Sequence, residues 1–588
     1  DAIHPGYGFL SEKPALAQAC VDAGLVFVGP SADRIAAMGD KAASKALAAA
    51  AGVPGVPGYS GEDQSTARFA AEADAIGFPV MVKASAGGGG KGMRLVADRA
   101  GLAAAVDLAR REAEAAFGDG QLILEKAVIR PRHLEVQVAG DRHGNRVHLF
   151  ERDCSVQRNH QKVLEEAPAP NLPEVVRQVL LDRAIALAAA INYDNLGTVE
   201  FILGEGAQDP WFLEMNTRLQ VEHPVTEAIT GQDLVEWQIR VAGGETLPLR
   251  QDQIRAHGHA IEARVTAERA EAGFRPDTGT IAVWVPPADV RIDSGFAEGD
   301  TIPSHYDSLL AKVIAAGPDR AAARQRLEAA LRDFAVLGPA TTLPFLVDAV
   351  AAPAFADGLA TTDFIPATFP HGWQPPQRHA ALAVAAAAIL RVQDAAARTA
   401  AALPNGSPWA GLPGFRIVTP ARVPLVLAGI PATVLALGGG RWRVEHEQDA
   451  TPPVTLTLVH TGRAIMVEAD GTRLSGHALI EDASVTLWLD GEIHAIPVQT
   501  ALDAAGGAAA TGRGSGTLLA PMPGVVAELR VAEGDTVAAG DVLVVLESMK
   551  LFMPLAAETD GTVAEIGCRP GETVPAGRVL MVVRSVTA

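Results

Sequence analysis

The chain has 588 residues, with 49 Lys+Arg against 69 Asp+Glu for a formal net charge of −20, and 48% hydrophobic against 20% charged residues. At roughly 150 residues per domain the length corresponds to about four domains, and the apolar share excludes wholesale disorder. The acidic balance argues against a protein that coats nucleic acid or an anionic membrane, while leaving room for local basic pockets that hold phosphates.

The sequence starts at Asp1 and runs at once into the dense motif DAIHPGYGFLSE, which predicts that the beginning of the first domain is missing. From residue 1 to about 248, short β-rich runs at 25–28, 80–84 and 122–125 alternate with helical stretches at 102–117 and 174–191, where apolar residues recur every three or four positions. That alternation predicts α/β layers. Residues 256–367 read as strands closed by a helix at 320–334. Residues 375–499 read as an alanine-rich helix giving way to alternating strands, with Asp470-Gly471 and Asp490-Gly491 as hairpin turns. The longest apolar run, 380–390, is too short to span a bilayer and predicts a buried or half-buried helix. No secretory signal is visible. Small residues without periodicity at 501–516 predict a flexible linker. The three cysteines, Cys20, Cys154 and Cys568, are far apart, which excludes a disulfide framework and fits a reducing compartment.

Beyond the linker lies an internal repeat. Residues 524–546 overlay residues 561–583 at an offset of 37, with 12 of 23 positions identical. Each half reads strand, glycine turn, strand, and neither can bury its apolar face alone, so two halves packed face to face predict a small β-sandwich with a pseudo-twofold axis. The turn between them, ESMKLF, puts Lys550 at its tip. With Met549 before it and APMPG at 520–524, this segment resembles a biotinyl carrier domain, which implies biotin bound covalently to Lys550. It departs from the usual Ala-Met-Lys-Met turn by Ser548 and Leu551. A cofactor on a long arm behind a flexible linker visits distant sites at high effective concentration.

Upstream, KASAGGGGKGMR (83–94) follows a strand and reads either as a mobile turn or as a loop whose glycine N–H groups approach phosphates closely; it does not match the Walker phosphate loop. Glu200 in GTVEFIL and Glu214 in WFLEMN, with Asn216 after it, read either as inward carboxylates on neighbouring strands, which Mg²⁺ needs, or as surface acids on alternating strands, and alternation alone does not decide between them. In order along the chain come HPGYGFLSE (4–12), MGDK (38–41), the glycine loop, ERDCSVQRNHQKVLEEAPAP (151–170) and EMNTRLQVEHPVTE (214–227). Together they resemble the biotin carboxylase component of biotin-dependent acyl-CoA carboxylases, over nearly all of 1–365 and, with the carrier, about three-quarters of the chain.

The resemblance implies a multidomain α/β and α+β protein. An N-terminal remnant (1–40) precedes an ATP-grasp domain (41–250, lid about 58–127) and a carboxylase C-terminal domain (251–367). A helix-plus-β docking region (375–500) follows, then the linker (501–516) and a flattened β-sandwich biotinyl domain (517–588). It assigns Lys41 and Lys83 to the ATP phosphates under a lid of Gly87, Gly88, Gly89, Gly90 and Gly92, and Glu125 and Lys126 to the adenine. His133, Gln157 and His160 line the nucleotide site, and Glu200, Glu214 and Asn216 hold Mg²⁺ (or Mn²⁺). Lys162, Arg218, Gln220 and Val221 surround bicarbonate, Glu222 is the general base, and Arg264 faces the biotin ureido oxygen. Asp307 matches a biotin-side position, and His305 stands where the family often has tyrosine.

The function implied is ATP- and bicarbonate-dependent carboxylation of the tethered biotin by an α subunit. That subunit supplies carboxybiotin to a separate carboxyltransferase β subunit, in a hetero-oligomer whose biotin is attached by biotin protein ligase. Acyl-CoA would meet only the partner, with methylcrotonyl-, propionyl-, acetyl- and geranyl-CoA all open. The expected location is cytoplasmic and bacterial-type, with no nucleic acid or membrane partner. Competing readings are a carrier and scaffold subunit with an impaired catalytic half, and another ATP-grasp ligase such as one making carbamoyl phosphate, against which the Met549-Lys550 turn argues. Cys154 has no base paired with it in the sequence, and a nucleophilic role is disfavoured.

Overall fold

Three helices in the first third of the chain begin at side chains that satisfy free N–H groups. Asp40 accepts from the Ala43 N–H ahead of Lys41–Ala50, Ser65 from Arg68 ahead of Thr66–Ile76, and Asp98 from Gly101 ahead of Arg99–Phe117. The aspartate of MGDK is therefore a helix cap. The computed structural model describes residues 1–85, 93–403, 419, 421–447, 452–500, 516–549 and 551–584, without side chains at 41, 42, 115–117 and 551. The glycine loop (Gly87, Gly88, Gly89, Gly90 and Gly92), the Lys41 side chain, Lys550 and the linker at 501–515 lie outside the described residues. Contacts divide the chain into two compact units. One comprises Asp1–Arg264, Lys312–Glu328 and Ala349–His371, and the other Val265–Ala311, Ala329–Asp348 and Gly372–Ala588.

In the first unit a small antiparallel sheet contains β1 (Gly58–Tyr59), β2 (Val80–Ala84), β3 (Met93–Val96) and β4 (Leu122–Lys126), in the order β1-β4-β2-β3. Strand alternation turns Val80, Val82, Leu122 and Leu124 to one face. There they pack on the helical stripe Leu102, Val106, Ala109 and Ala113. Seven of the eight strands of the large sheet are β5 (Arg132–Gly140), β6 (Arg146–Arg158), β7 (Gln161–Ala167), β8 (Asn195–Leu203), β9 (Trp211–Asn216), β10 (His259–Thr266) and β11 (Leu309–Gly317). Their order is β9-β8-β5-β6-β7-β10-β11. Leu134, Val136 and Val138 of β5 and Val199 and Phe201 of β8 point to one face, where helix Glu174–Ala190 covers them with Val176, Leu180, Ala184 and Leu187. The alternate residues, Glu135, Gln137, Thr198 and Glu200, are buried on the opposite face. That second face carries the charges.

In the second unit, the predicted hairpins close into a barrel of antiparallel strands running from Arg422–Leu427 to Glu492–Thr500. First and last strands pair, with Leu425↔Thr500 and Leu427↔Val498. Asp470-Gly471 and Asp490-Gly491 form turns with positive φ at both residues, as the hairpin signals predict. The alanine-rich helix is Ala380–Ala402; it extends past the apolar run and, contrary to the sequence reading, is by length and composition long and apolar enough to cross a bilayer. Four successive residues, Ala385–Ala388, are at most 1% exposed, so this part of the helix is surrounded on every side. It is packed among Leu427, Val434, Val444, Leu456, Leu487 and Val498 of the barrel interior. Methyl side chains allow a helix to fit there.

The carrier segment forms two four-stranded sheets. The halves are not simply stacked: Thr536–Val537 pairs with Gly561–Ile566, and Thr573–Val574 pairs with Gly524–Leu529. Each repeat lends its short strand to the other, which makes the two halves interdependent. Ala520 and Met522 of APMPG are buried in the core between the sheets.

Candidate active site

Register across the large sheet puts four charged side chains in one row. Glu214 on β9 is opposite Glu200 on β8, Glu200 is opposite Glu135 on β5, and Glu135 is opposite Arg152 on β6. Three carboxylates side by side need cations, and the structure supplies them. Arg152, fully buried, donates from Nε to Glu135 at 2.5 Å and from its other nitrogens to Gln137, Thr226 and Thr198. Lys162, on β7, reaches Glu135 at 2.5 Å, Glu200 at 2.9 Å and Glu222 at 2.5 Å. Glu222 precedes helix His223–Thr230, and its other oxygen accepts from Arg264 Nη2 at 2.9 Å. Arg264 Nε in turn donates to Glu165 at 2.5 Å. Glu222 is thus held between an ammonium and a guanidinium.

Burial opposes ionisation of Glu222, but Lys162, Arg264 and Arg152 outweigh it and hold its carboxyl well below the usual range. Burial opposes the charge on Lys162, and Glu135, Glu200 and Glu222 keep it protonated. Glu222 is therefore ionised but weakly basic while both cations hold it. A small anion that draws Lys162 and Arg264 toward itself frees that carboxylate to take a proton. Lys162 and Arg264 side chains retain 11% and 17% exposure, so such an anion has access.

The remaining residues expected at the site fall around this centre. His133 Nε2 is 2.9 Å from Glu200, and Gln157 reaches His133 Nδ1 at 3.1 Å. Burial disfavours charge on His133, and Glu200 beside it outweighs that and raises its pKa. Asn216 and Gln220 donate to Glu200, while Arg218 bonds Gln220 at 2.9 Å and Asn216 at 3.2 Å. The Val221 carbonyl accepts from Lys312 at 2.9 Å. His160 sits at the β6–β7 turn, its pKa lowered by burial and by Lys83 and His133. Cys154 is fully buried, and burial holds its thiol protonated, which does not suit a nucleophile.

On the small sheet, Lys83 and Lys45 both pair with the buried Glu125. Lys126, next along the strand, points to the opposite face and donates to the Gly77 and Phe78 carbonyls at 2.8 and 3.0 Å. The Glu125 and Lys126 side chains are not brought together.

Sequence reading missed Glu135, Arg152, Glu165, Lys312 and Glu12. Glu12 closes HPGYGFLSE, accepts from the Thr217 N–H and from Arg218 Nε, each at 3.0 Å, so that motif orients Arg218. For Glu135 a signal existed. In HLEVQV the polar residues alternate with apolar ones, yet the strand is buried on both faces.

The two opposed carboxylates of Glu200 and Glu214, with an amide two residues on, are a hard-oxygen donor set that fits Mg²⁺. His133, Glu135 and Glu200 also converge within 4.8 Å, but the Lys162 ammonium already balances charge there. On the carrier, strands Val542–Ser548 and Leu551–Ala556 pair up to Ser548↔Leu551, leaving two residues for the turn. Met549 has φ +49° and is 2% exposed, and the Ser548 hydroxyl donates to the Pro523 carbonyl at 2.9 Å. The serine that departs from the family pattern therefore ties the turn to APMPG.

Comparison with known proteins gives a consistent result. The family described as biotin carboxylase, N-terminal domain, matches residues 1–35; carbamoyl-phosphate synthase L chain, ATP binding domain, matches 40–250. Biotin carboxylase C-terminal domain matches 262–367, and biotin-requiring enzyme matches 516–583. The mitochondrial methylcrotonoyl-CoA carboxylase subunit alpha of Arabidopsis thaliana is 40% identical over 94% of this chain and 80% of its own length. The propionyl-CoA carboxylase alpha chain of Ruegeria pomeroyi is 39% identical over 95% and 85%. Among solved structures, the biotin carboxylase domain of Hydrogenobacter thermophilus 2-oxoglutarate carboxylase, with MgADP, ADP and bicarbonate, is 44% identical. It covers 63% of this chain and 82% of its own, with TM-score 0.60. The expectation of a bacterial-type cytoplasmic protein is corrected here: several relatives alike over 94–95% of this chain, from Dictyostelium discoideum to Rattus norvegicus, are mitochondrial subunits.

Proposed function

This chain belongs to the α subunits of biotin-dependent acyl-CoA carboxylases, and from that premise we propose how its residues divide the work. The chain is an ATP-dependent ligase that carboxylates biotin, with the biotin held covalently on its C-terminal domain. The alternative of a scaffold with an impaired catalytic half has nothing to support it. The observation that carries the reading is Glu222 held between Lys162 and Arg264, beside the opposed pair Glu200 and Glu214.

In our assignment Lys83 and Lys41 bind nucleotide phosphates, with Glu125 holding Lys83 in place until they arrive. Glu125, Lys126, His133, Gln157 and His160 border the nucleotide. Glu200, Glu214 and Asn216 hold Mg²⁺, which when bound neutralises charge on the phosphate oxygens. Lys162 and Arg218, with Gln220 and the Val221 backbone, receive bicarbonate, and Glu12 keeps Arg218 turned toward it. Glu222 accepts the bicarbonate proton as a bicarbonate oxygen attacks the terminal phosphorus of ATP, whose bond to the departing ADP breaks to leave carboxyphosphate. Arg264 presents a charge that does not titrate away to the ureido oxygen of biotin. Lys550 is the residue that biotin protein ligase modifies, and residues 375–500 dock the carboxyltransferase β subunit, which alone meets acyl-CoA. Methylcrotonoyl- and propionyl-CoA carboxylase subunits match this chain about equally, so the partner selects the acyl group.

The test is ADP release by the full chain with free biotin as acceptor. Release that requires bicarbonate and biotin together is the expected result. No turnover, or turnover indifferent to bicarbonate, overturns the reading.

A further inference from the structure

Across the antiparallel pair β7–β10, Glu165 and Glu262 are directly opposed, and both are fully buried. Residues so placed have Cβ atoms about 4.5–5.5 Å apart, so their carboxyl groups reach into one space. Only one of the four carboxyl oxygens has a donor: Glu165 Oε1 accepts from Arg264 Nε at 2.5 Å. Glu165 Oε2 and both oxygens of Glu262 are buried without a hydrogen bond. Lys312 faces Glu262 from β11 but donates to the Val221 carbonyl at 2.9 Å. Two ionised carboxylates in that space would repel each other and leave three desolvated oxygens unsatisfied, which a buried pair avoids by retaining a proton.

We propose that Glu165 and Glu262 share one proton, and that this dyad, with its single negative charge, is the positioning element that fixes Arg264 against Glu222. The proton bridges Glu262 and Glu165 Oε2, which satisfies two of the three orphaned oxygens. Glu165 Oε1 stays free to accept from Arg264, whose Nη2 reaches Glu222 at 2.9 Å. Arg264 is thereby gripped by one unit of negative charge on each side. Burial, the largest influence on each, raises both carboxyls above their ordinary range, in accord with that geometry. The other groups facing the pair are Arg264, Glu222, Lys162, Lys312 and Cys154. Glu222 is already held ionised and Cys154 protonated, so a rise in pH that removes the shared proton places the added negative charge on this pair. When it does, the second negative charge pulls Arg264 off the position it shares with Glu222. The inference rests on the biotin carboxylase reading and adds two residues that act through Arg264.

Three measurements on the full chain test it. Infrared spectra at neutral pH should show a protonated-carboxyl C=O band that Glu262→Gln removes, whether or not the enzyme is turning over. The KM for free biotin should rise in the wild type as pH is raised above neutral, while in Glu262→Gln, where the pair keeps a single charge, that rise is lost. Glu165→Gln should raise the KM for biotin about tenfold, the loss of one charge-assisted hydrogen bond, with a smaller effect on kcat. Thermal unfolding of both variants checks that they fold. An unchanged infrared band, or identical pH profiles for wild type and Glu262→Gln, overturns the dyad. A wild-type chain that carboxylates no biotin overturns the function instead, and the infrared comparison then decides the dyad alone.

Discussion

Charge at this site is balanced across several strands, which no single residue reveals. Arg152 illustrates the point. It is fully buried, and its guanidinium meets Glu135, Gln137, Thr226 and Thr198, so removing it strands Glu135 without a partner on that side. Arg152→Met should cost about 3–5 kcal/mol, the usual penalty for leaving a buried charge uncompensated. Urea denaturation gives the number. The double variant Arg152→Met, Glu135→Gln should recover part of the loss, because the charge left behind is removed too; no recovery would mean that Arg152 acts through packing alone. Glu200 and Glu214 were legible as metal-site candidates because each interrupts an apolar strand. Arg152, Glu165 and Glu262 were not, because their partners sit on strands 17 to 99 residues away and only register brings them together.

Local signals carried most of the elements. The strand at 80–84 and the helix starts at 99 and 174 lie within a few residues of the positions that periodicity predicts. Closure of the barrel was not legible, since pairing Leu427 with Val498 joins the first and last strands of the barrel, a contact that local pattern does not encode. The carrier repeat left a similar ambiguity: two halves related by an offset of 37 satisfy the symmetry whether or not they exchange short strands. The hairpin turns of the barrel allow a direct test of what a left-handed glycine costs. Gly471 has φ +78° and open space where a Cβ would go, whereas at Gly491, φ +80°, a Cβ would lie 3.2 Å from Arg332 Cγ and Val347 Cγ2. Gly471→Ala should therefore lose only the conformational term, about 1 kcal/mol. Gly491→Ala should lose measurably more in the same denaturation assay, because Arg332 and Val347 must also move. Equal losses would show that those neighbours yield freely.

At the scale of the whole molecule, the proposed chemistry is divided between a site fixed by strand register and an acceptor carried on a separate domain. Lys162, Glu222 and Arg264 lie in one unit, held together by their own ion pairs, and the carrier domain lies in the other. Tethering contributes effective concentration, and a free acceptor supplied at high concentration replaces it. Lys550→Arg should therefore abolish acyl-CoA carboxylation in the complex with the carboxyltransferase partner while leaving bicarbonate-dependent ADP release with free biotin intact. Arginine keeps the positive charge but offers no amine for biotin attachment, so the substitution removes the arm and little else. Both rates are measured on one preparation, with mass spectrometry of the carrier peptide confirming that the wild type is biotinylated and the variant is not. Loss of both activities would mean that the carrier also holds the carboxylase site in shape. Retention of acyl-CoA carboxylation would place the travelling biotin on a different residue.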